Sequence, residues 1–95
     1  NLKTKCVEIM KKFYVYMLIA KRKEKLISYV GYTKNLPKRL ILHNSSKGAK
    51  FTRGSKWKIV YKEVYKSKSE ALKAEHKLKK NYLLRKKIKQ KHLNG

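Results

Sequence analysis

The sequence predicts a small α+β domain, a short antiparallel three-stranded sheet flanked by helices in the order β-β-α-β-α-α. Three observations predict it. Phe13 to Ala20 is an unbroken run of aromatic, β-branched and other apolar residues, and a second strand-like run follows a short charged connection. Asn35 with Pro37, and Ser67 with Glu70, mark two helix starts. A length of 95 residues suffices for one such domain and not for two.

Residues 1–12 form a basic lead-in without a clear period, residues 13–80 the domain, and residues 81–95 a basic tail. Phe13 to Ala20 reads as a buried strand, Lys21 to Lys25 as a charged turn, and Leu26 to Thr33 as the second strand of a hairpin. Asn35 caps the first helix, with Pro37 in its first turn, where a missing N–H costs little. Leu36, Leu40 and His43 make its stripe at i, i+4 and i+7. Asn44 to Gly48 ends that helix and opens a polar loop running through Lys50, Thr52, Arg53 and Gly54. Trp57 to Tyr65 alternates loosely and predicts the third strand. Ser67 and Glu70 form a capping-box pattern for a second helix reaching Lys80, with Ala71, Leu72, Ala74 and Leu78 apolar. The tail carries Leu83, Leu84 and Ile88 among lysines and reads as a third, basic helix.

Charge narrows the function. Lys and Arg number 28 against 5 acids, a formal net charge of +23, so the surface attracts a polyanion. A membrane partner would need an apolar anchor, and the run from Phe13 to Ala20 is too short to span a bilayer. Nucleic acid, DNA or RNA, is the favoured partner, with a protein partner or the ribosome left open. Cys6 is the lone cysteine, which excludes an internal disulfide and a Cys-rich zinc site and fits an intracellular compartment. No secretory h-region is visible.

Aspartate is absent from the chain, so neither a Ser-His-Asp triad nor an Asp-rich two-metal cluster can be built. His43, His76 and His92 have no zinc spacing. Lys47 to Lys50 is too short for a phosphate loop of the Walker type. Glu75 falls on the apolar face of its helix, where a carboxylate is costly without a compensating cation. A salt bridge to a nearby lysine is the commoner solution, and a metal ligand facing a cleft the sharper one. Arg39 and His43 share a face one helical turn apart. Most of the seven tyrosines supply strand propensity and core volume.

Together these pieces resemble the GIY-YIG nuclease family, in particular its small stand-alone members, which are similar to the catalytic domains of branch-cutting, structure-specific nucleases. Tyr14-Val15-Tyr16 stands where the first motif would be and Tyr29-Val30-Gly31 where the second would be. Arg39 follows Tyr29 by ten residues, His43 follows Arg39 by four, and Glu75 sits in a later helix. Tyr14 replaces the first motif's glycine, and valines replace both isoleucines. The family's asparagine of a final helix is not carried over, because Asn81 follows Glu75 too closely.

The resemblance implies a catalytic set of Tyr16, Tyr29, Arg39, His43 and Glu75. Glu75 would bind one Mg²⁺ or Mn²⁺ at the scissile phosphate. Tyr16 would accept or relay a proton from the attacking water, with Tyr29 beside it on the neighbouring strand. Arg39 would stabilise charge on the phosphate oxygens, and His43 would orient a tyrosine or the water. Lys47, Lys50, Thr52 and Arg53 would grip the nucleic-acid backbone outside the cut. The expectation is a metal-dependent nuclease acting on DNA, with branched or nicked structures as candidate substrates. Its rival, favoured by the lysine excess, is a non-catalytic nucleic-acid-binding protein of the same fold, such as a ribosome-associated RNA-binding component.

Overall fold

The computed structural model describes residues 12–94; the lead-in up to residue 11, with Cys6, lies outside them, as does the last residue of the tail. Strands β1 (Phe13–Arg22), β2 (Lys25–Thr33) and β3 (Lys58–Tyr65) and helices α1 (Leu36–Asn44), α2 (Lys68–Lys80) and α3 (Tyr82–Asn94) follow the expected order. A turn of 3-10 helix at Lys50–Thr52 interrupts the loop read as polar coil. The sheet is antiparallel, in the order β2-β1-β3.

The most apolar strand takes the central place because only there are both faces covered. Val15, Tyr16, Met17, Leu18, Ile19 and Ala20 are all buried. Alternation sends Val15, Met17 and Ile19 to one face, against Ala71 and Leu78 of α2 and Ile88 of α3. Tyr16, Leu18 and Ala20 go to the other, against Leu36 and Leu40 of α1 and Trp57 of the loop. Full burial of a side chain such as Met17 or Leu18 contributes about 1.5–3 kcal/mol. On β3 a register shift pairs Met17 with Tyr61 and Leu18 with Ile59. The extra residue, Val60, lets Val60 and Tyr61 both pack on the α2 side.

The hairpin turn is shorter than the charged stretch suggested. Lys21 and Arg22 stay in the ladder, opposite Leu26 and Lys25, because pairing is a backbone property. The turn is Lys23-Glu24 alone, both with positive φ (50° and 65°), the backbone that a two-residue hairpin loop needs. Trp57 likewise lies just outside β3 instead of opening it.

Helix capping follows the sequence. Asn35 Oδ1 accepts from the Lys38 amide at 3.1 Å, and Ser67 Oγ accepts from the Glu70 amide at 3.2 Å. Asn81 closes α2 through its amide, bonded to the Lys77 and Leu78 carbonyls, and opens α3 by accepting from the Leu84 amide at 3.1 Å. Its side-chain oxygen is therefore committed to capping. Among the described residues no helix is long and apolar enough to cross a membrane.

Candidate active site

Three elements bring the aromatic and imidazole groups together. Tyr16 on β1 pairs with Gly31 of β2, and Tyr29, two residues earlier on β2, lies diagonally across on the same face. The Tyr16 and Tyr29 rings are 6.4 Å apart between centroids. The inward face of α1 presents His43, 5.0 Å from the Tyr29 ring centre. The Tyr16 hydroxyl and His43 Nε2 are 2.9 Å apart, a buried hydrogen bond between groups 1% and 0% exposed. At the other ring nitrogen, His43 Nδ1 and Thr52 Oγ1 are 2.8 Å apart.

Two glycines make this approach sterically feasible. A Cβ on Gly31 would meet the Tyr16 hydroxyl at 2.5 Å and its ring carbon at 2.7 Å, so the tyrosine lies directly across the glycine of the second motif. A Cβ on Gly48 would collide with His43 Nδ1, because the loop backbone closes over the imidazole. Tyr14, at the first motif's glycine position, packs partly buried at the margin of the Tyr16 cluster.

Electrostatics keep the buried pair neutral. Burial pushes the Tyr16 phenol up to about 12; the Arg39 guanidinium opposes the shift, and Tyr29 and Glu75 add to it. Burial, and then the Arg39 charge, push the His43 imidazole below its ordinary value. The Tyr16 oxygen, against the effect of burial, holds Arg39 above the usual arginine range. Among the described residues no Arg39–phenol hydrogen bond of full geometry forms, and the buried Arg39 Nε has no partner. A half-buried cation with an orphaned donor beside two phenols suits an incoming anion.

Glu75 comes from α2, from across the sheet, yet stands within electrostatic reach of Tyr16. Its side chain is 18% exposed and pairs with Lys79 at 3.2 Å, the i, i+4 salt bridge that position alone suggested. No group of three His, Cys, Asp or Glu that could hold a metal ion occurs among the described residues. A single accessible carboxylate fits a hydrated Mg²⁺, which characteristically takes one or two protein carboxylates and completes its shell with water and substrate phosphate.

The basic loop divides. Lys47, Lys50 and Arg53 are exposed, as a phosphate contact requires. Thr52 is 0% exposed, with its hydroxyl bonded to His43 and, at 2.7 Å, to the Ala49 carbonyl. The reading of Thr52 as a backbone-gripping residue is thereby corrected: it has neither surface nor a free hydroxyl to offer a phosphate.

Three anchors of this loop were missed in the sequence. Arg22 donates to the Phe51 carbonyl (2.9 Å), the Arg53 carbonyl (3.3 Å) and Ser55 Oγ (2.8 Å). Trp57 Nε1 donates to the Thr52 carbonyl at 2.7 Å. Asn44 bonds Trp57 on both sides, accepting from its amide and donating to its carbonyl. Arg22 was hidden among 28 cations, whereas a lone tryptophan does signal a buried N–H that needs an acceptor.

A family model described as a GIY-YIG catalytic domain matches residues 12–89. The chain is 44% identical over 71 residues to a UPF0213 protein of Staphylococcus saprophyticus, covering 74% of this chain and 83% of that one. A UPF0213 protein of Staphylococcus haemolyticus matches with the same identity and coverage. One from Lactiplantibacillus plantarum is 41% identical over 73 residues, covering 74% of this chain and 69% of that one. No solved structure matches.

Proposed function

The chain belongs to the GIY-YIG family, and we propose that it is a divalent-metal-dependent endonuclease that hydrolyses phosphodiester bonds, with DNA as its favoured substrate. The observation that carries this reading is the buried Tyr16–His43 hydrogen bond with the Arg39 guanidinium beside it. A fold maintained for binding alone has no chemical need of a neutral phenol, a neutral imidazole and an unpartnered arginine donor at one point.

Each group has one task. With its pKa raised to about 12, Tyr16 is protonated at rest and cannot act as a standing base. It acts as a relay: the attacking water gives a proton to the phenol oxygen as the phenol proton passes to His43 Nε2. The water oxygen forms its bond to phosphorus, the bond from phosphorus to the leaving sugar oxygen breaks, and that oxygen takes a proton from solvent. Arg39 faces the negative charge that grows on the phosphate oxygens. Tyr29, half-buried beside His43, would line the approach of the phosphate. Glu75 would hold Mg²⁺ or Mn²⁺, which supplies Lewis-acid stabilisation of the phosphate when bound. Lys47, Lys50 and Arg53 hold the backbone on either side.

The second reading, a non-catalytic nucleic-acid-binding protein such as a ribosome-associated component, is favoured by one observation: Glu75 already has a partner in Lys79. Glu75→Gln separates the two. It keeps the shape and removes the charge that holds a hard cation. Cutting of labelled branched, nicked and linear substrates with Mg²⁺ or Mn²⁺ should disappear, while binding in EDTA stays equal or tightens. Cleavage that survives in the variant, or its absence from the wild type on every substrate, overturns the nuclease reading.

A further inference from the structure

The relay above needs His43 Nε2 to be an acceptor, and nothing in the Tyr16–His43 pair alone ensures this. A neutral imidazole carries one proton, on either nitrogen, and the bond made by the other nitrogen decides which. If Nε2 carried the proton, it would donate to the Tyr16 oxygen, and the phenol could not pass its proton to the ring.

The far side of the ring resolves the choice. The Thr52 hydroxyl has one hydrogen. Thr52 Oγ1 lies 2.7 Å from the Ala49 carbonyl oxygen, which can only accept, so that hydrogen points to Ala49. Toward His43, at 2.8 Å, the same oxygen can therefore only accept, and Nδ1 must supply the hydrogen. The proton is then on Nδ1, and Nε2 turns a lone pair to the Tyr16 hydroxyl at 2.9 Å. We propose that Thr52 is a positioning residue whose hydroxyl locks His43 in the Nδ1–H tautomer, making its Nε2 the acceptor of the Tyr16 proton.

Thr52 is held for this role at both ends of its backbone. Its amide donates to the Ala49 carbonyl at 3.0 Å, which closes the 3-10 turn, and its carbonyl accepts from Trp57 Nε1 at 2.7 Å. Gly48 lies against the ring at Nδ1, where any side chain would intrude. The loop thus has two faces: an outer one with Lys47, Lys50 and Arg53, and an inner one that clamps the imidazole. The chain of bonds ends at a carbonyl, so the proton that reaches His43 stays there until it returns.

The catalytic consequence rests on the nuclease reading; the tautomer does not. The test is nitrogen-15 NMR of the histidine rings in the full chain, at neutral pH, for wild type, Thr52→Val and Thr52→Ser. Wild type and Thr52→Ser should show His43 protonated at Nδ1 and bare at Nε2, and Thr52→Val should move the proton to Nε2. Cutting should fall roughly 10²- to 10⁴-fold in Thr52→Val and recover to within about tenfold of wild type in Thr52→Ser. Binding to DNA in EDTA should be the same for all three, because Thr52 is fully buried.

A wild-type His43 protonated at Nε2 overturns the proposal, even if Thr52→Val does not fold. Equal losses of cutting in the valine and serine variants overturn the positioning role by reducing it to packing, and weaker DNA binding by Thr52→Val overturns it in favour of a phosphate contact. A wild type that shows the expected tautomer and cuts nothing sinks the nuclease reading and leaves the lock in place.

Discussion

On the α2 side of the sheet, Val15, Met17 and Ile19 meet Val30, Ala71 and Leu78 in a cluster of apolar side chains. On the α1 side, one residue out of phase along the same strand, Tyr16 meets a histidine, the histidine a threonine, and the threonine a backbone carbonyl. The first face asks for volume and apolarity, which several residues can supply. The second asks for a particular atom at each place, because a buried donor or acceptor without a partner costs about 1–3 kcal/mol. One strand therefore carries two kinds of constraint in alternation: its odd residues hold the domain together, and Tyr16 among its even ones carries the proposed chemistry.

Neighbouring substitutions test this division most strongly. Tyr16→Phe removes one oxygen, so cutting should fall about 10²- to 10⁴-fold while the domain stays folded. Met17→Ala should do the reverse. It should cost about 2–5 kcal/mol in a denaturant melt and leave cutting per folded molecule unchanged. A Met17→Ala protein that folds fully but cuts as poorly as Tyr16→Phe would abolish the distinction between the faces.

Gly31→Ala tests whether the polar face tolerates any added volume. The new methyl would meet the Tyr16 hydroxyl and must push it from His43. Overpacking of this kind costs about 1–3 kcal/mol, and the loss of cutting should approach that of Tyr16→Phe. An active, stable Gly31→Ala would mean that the phenol has room to spare and that the second motif's glycine serves something else.

The outer face of the loop is expected to act through charge alone. If about 6 to 10 phosphates are contacted, affinity should drop roughly 10³- to 10⁵-fold between about 50 and 200 mM salt. Replacing Lys47, Lys50 and Arg53 by alanine should flatten the salt slope by about 0.9 for each phosphate no longer neutralised. An unchanged slope would move the phosphate-binding surface elsewhere, with the basic helix α3 the next to test.

The apolar face was the easier one to read from sequence. A continuous apolar strand, two capped helices and a basic tail each announce themselves through periodicity or capping chemistry, and all lie within a residue or two of their observed bounds. Motif spacing also singled out Tyr16 and His43, which meet in space. The inner loop escaped because its residues carry no periodic signal. Thr52 stands between Phe51 and Arg53 in a basic stretch, and composition assigns it to the surface. Only the turn at Lys50–Thr52, pinned by Arg22, Trp57 and Asn44, directs its hydroxyl inward. Arg22 lies 29 to 33 residues from its partners in the loop, beyond any local window. The shorter bonds from Trp57 and Asn44 join irregular backbone that no periodicity announces.

The smallest effect comes from the protonation of the buried imidazole. Burial and the Arg39 charge hold His43 below its ordinary pKa, so the unfolded chain binds a proton there more readily than the folded one. Stability therefore rises with pH across the interval between the folded value and the unfolded value of about 6.5. Its contribution is complete above about 6.5 and is lost as the pH falls toward the depressed folded value. Only one proton is involved, so the loss should be modest beside that of Met17→Ala. Denaturant melts from pH 8 down to pH 5, run on wild type and His43→Gln, isolate it, because His76 and His92 contribute equally to both curves. The wild type should lose stability relative to the variant as the solution is acidified. A gap that is flat with pH, or one that widens in favour of the wild type in acid, would show that the imidazole is not held neutral, and the polar face would lose the acceptor on which the Tyr16 relay depends.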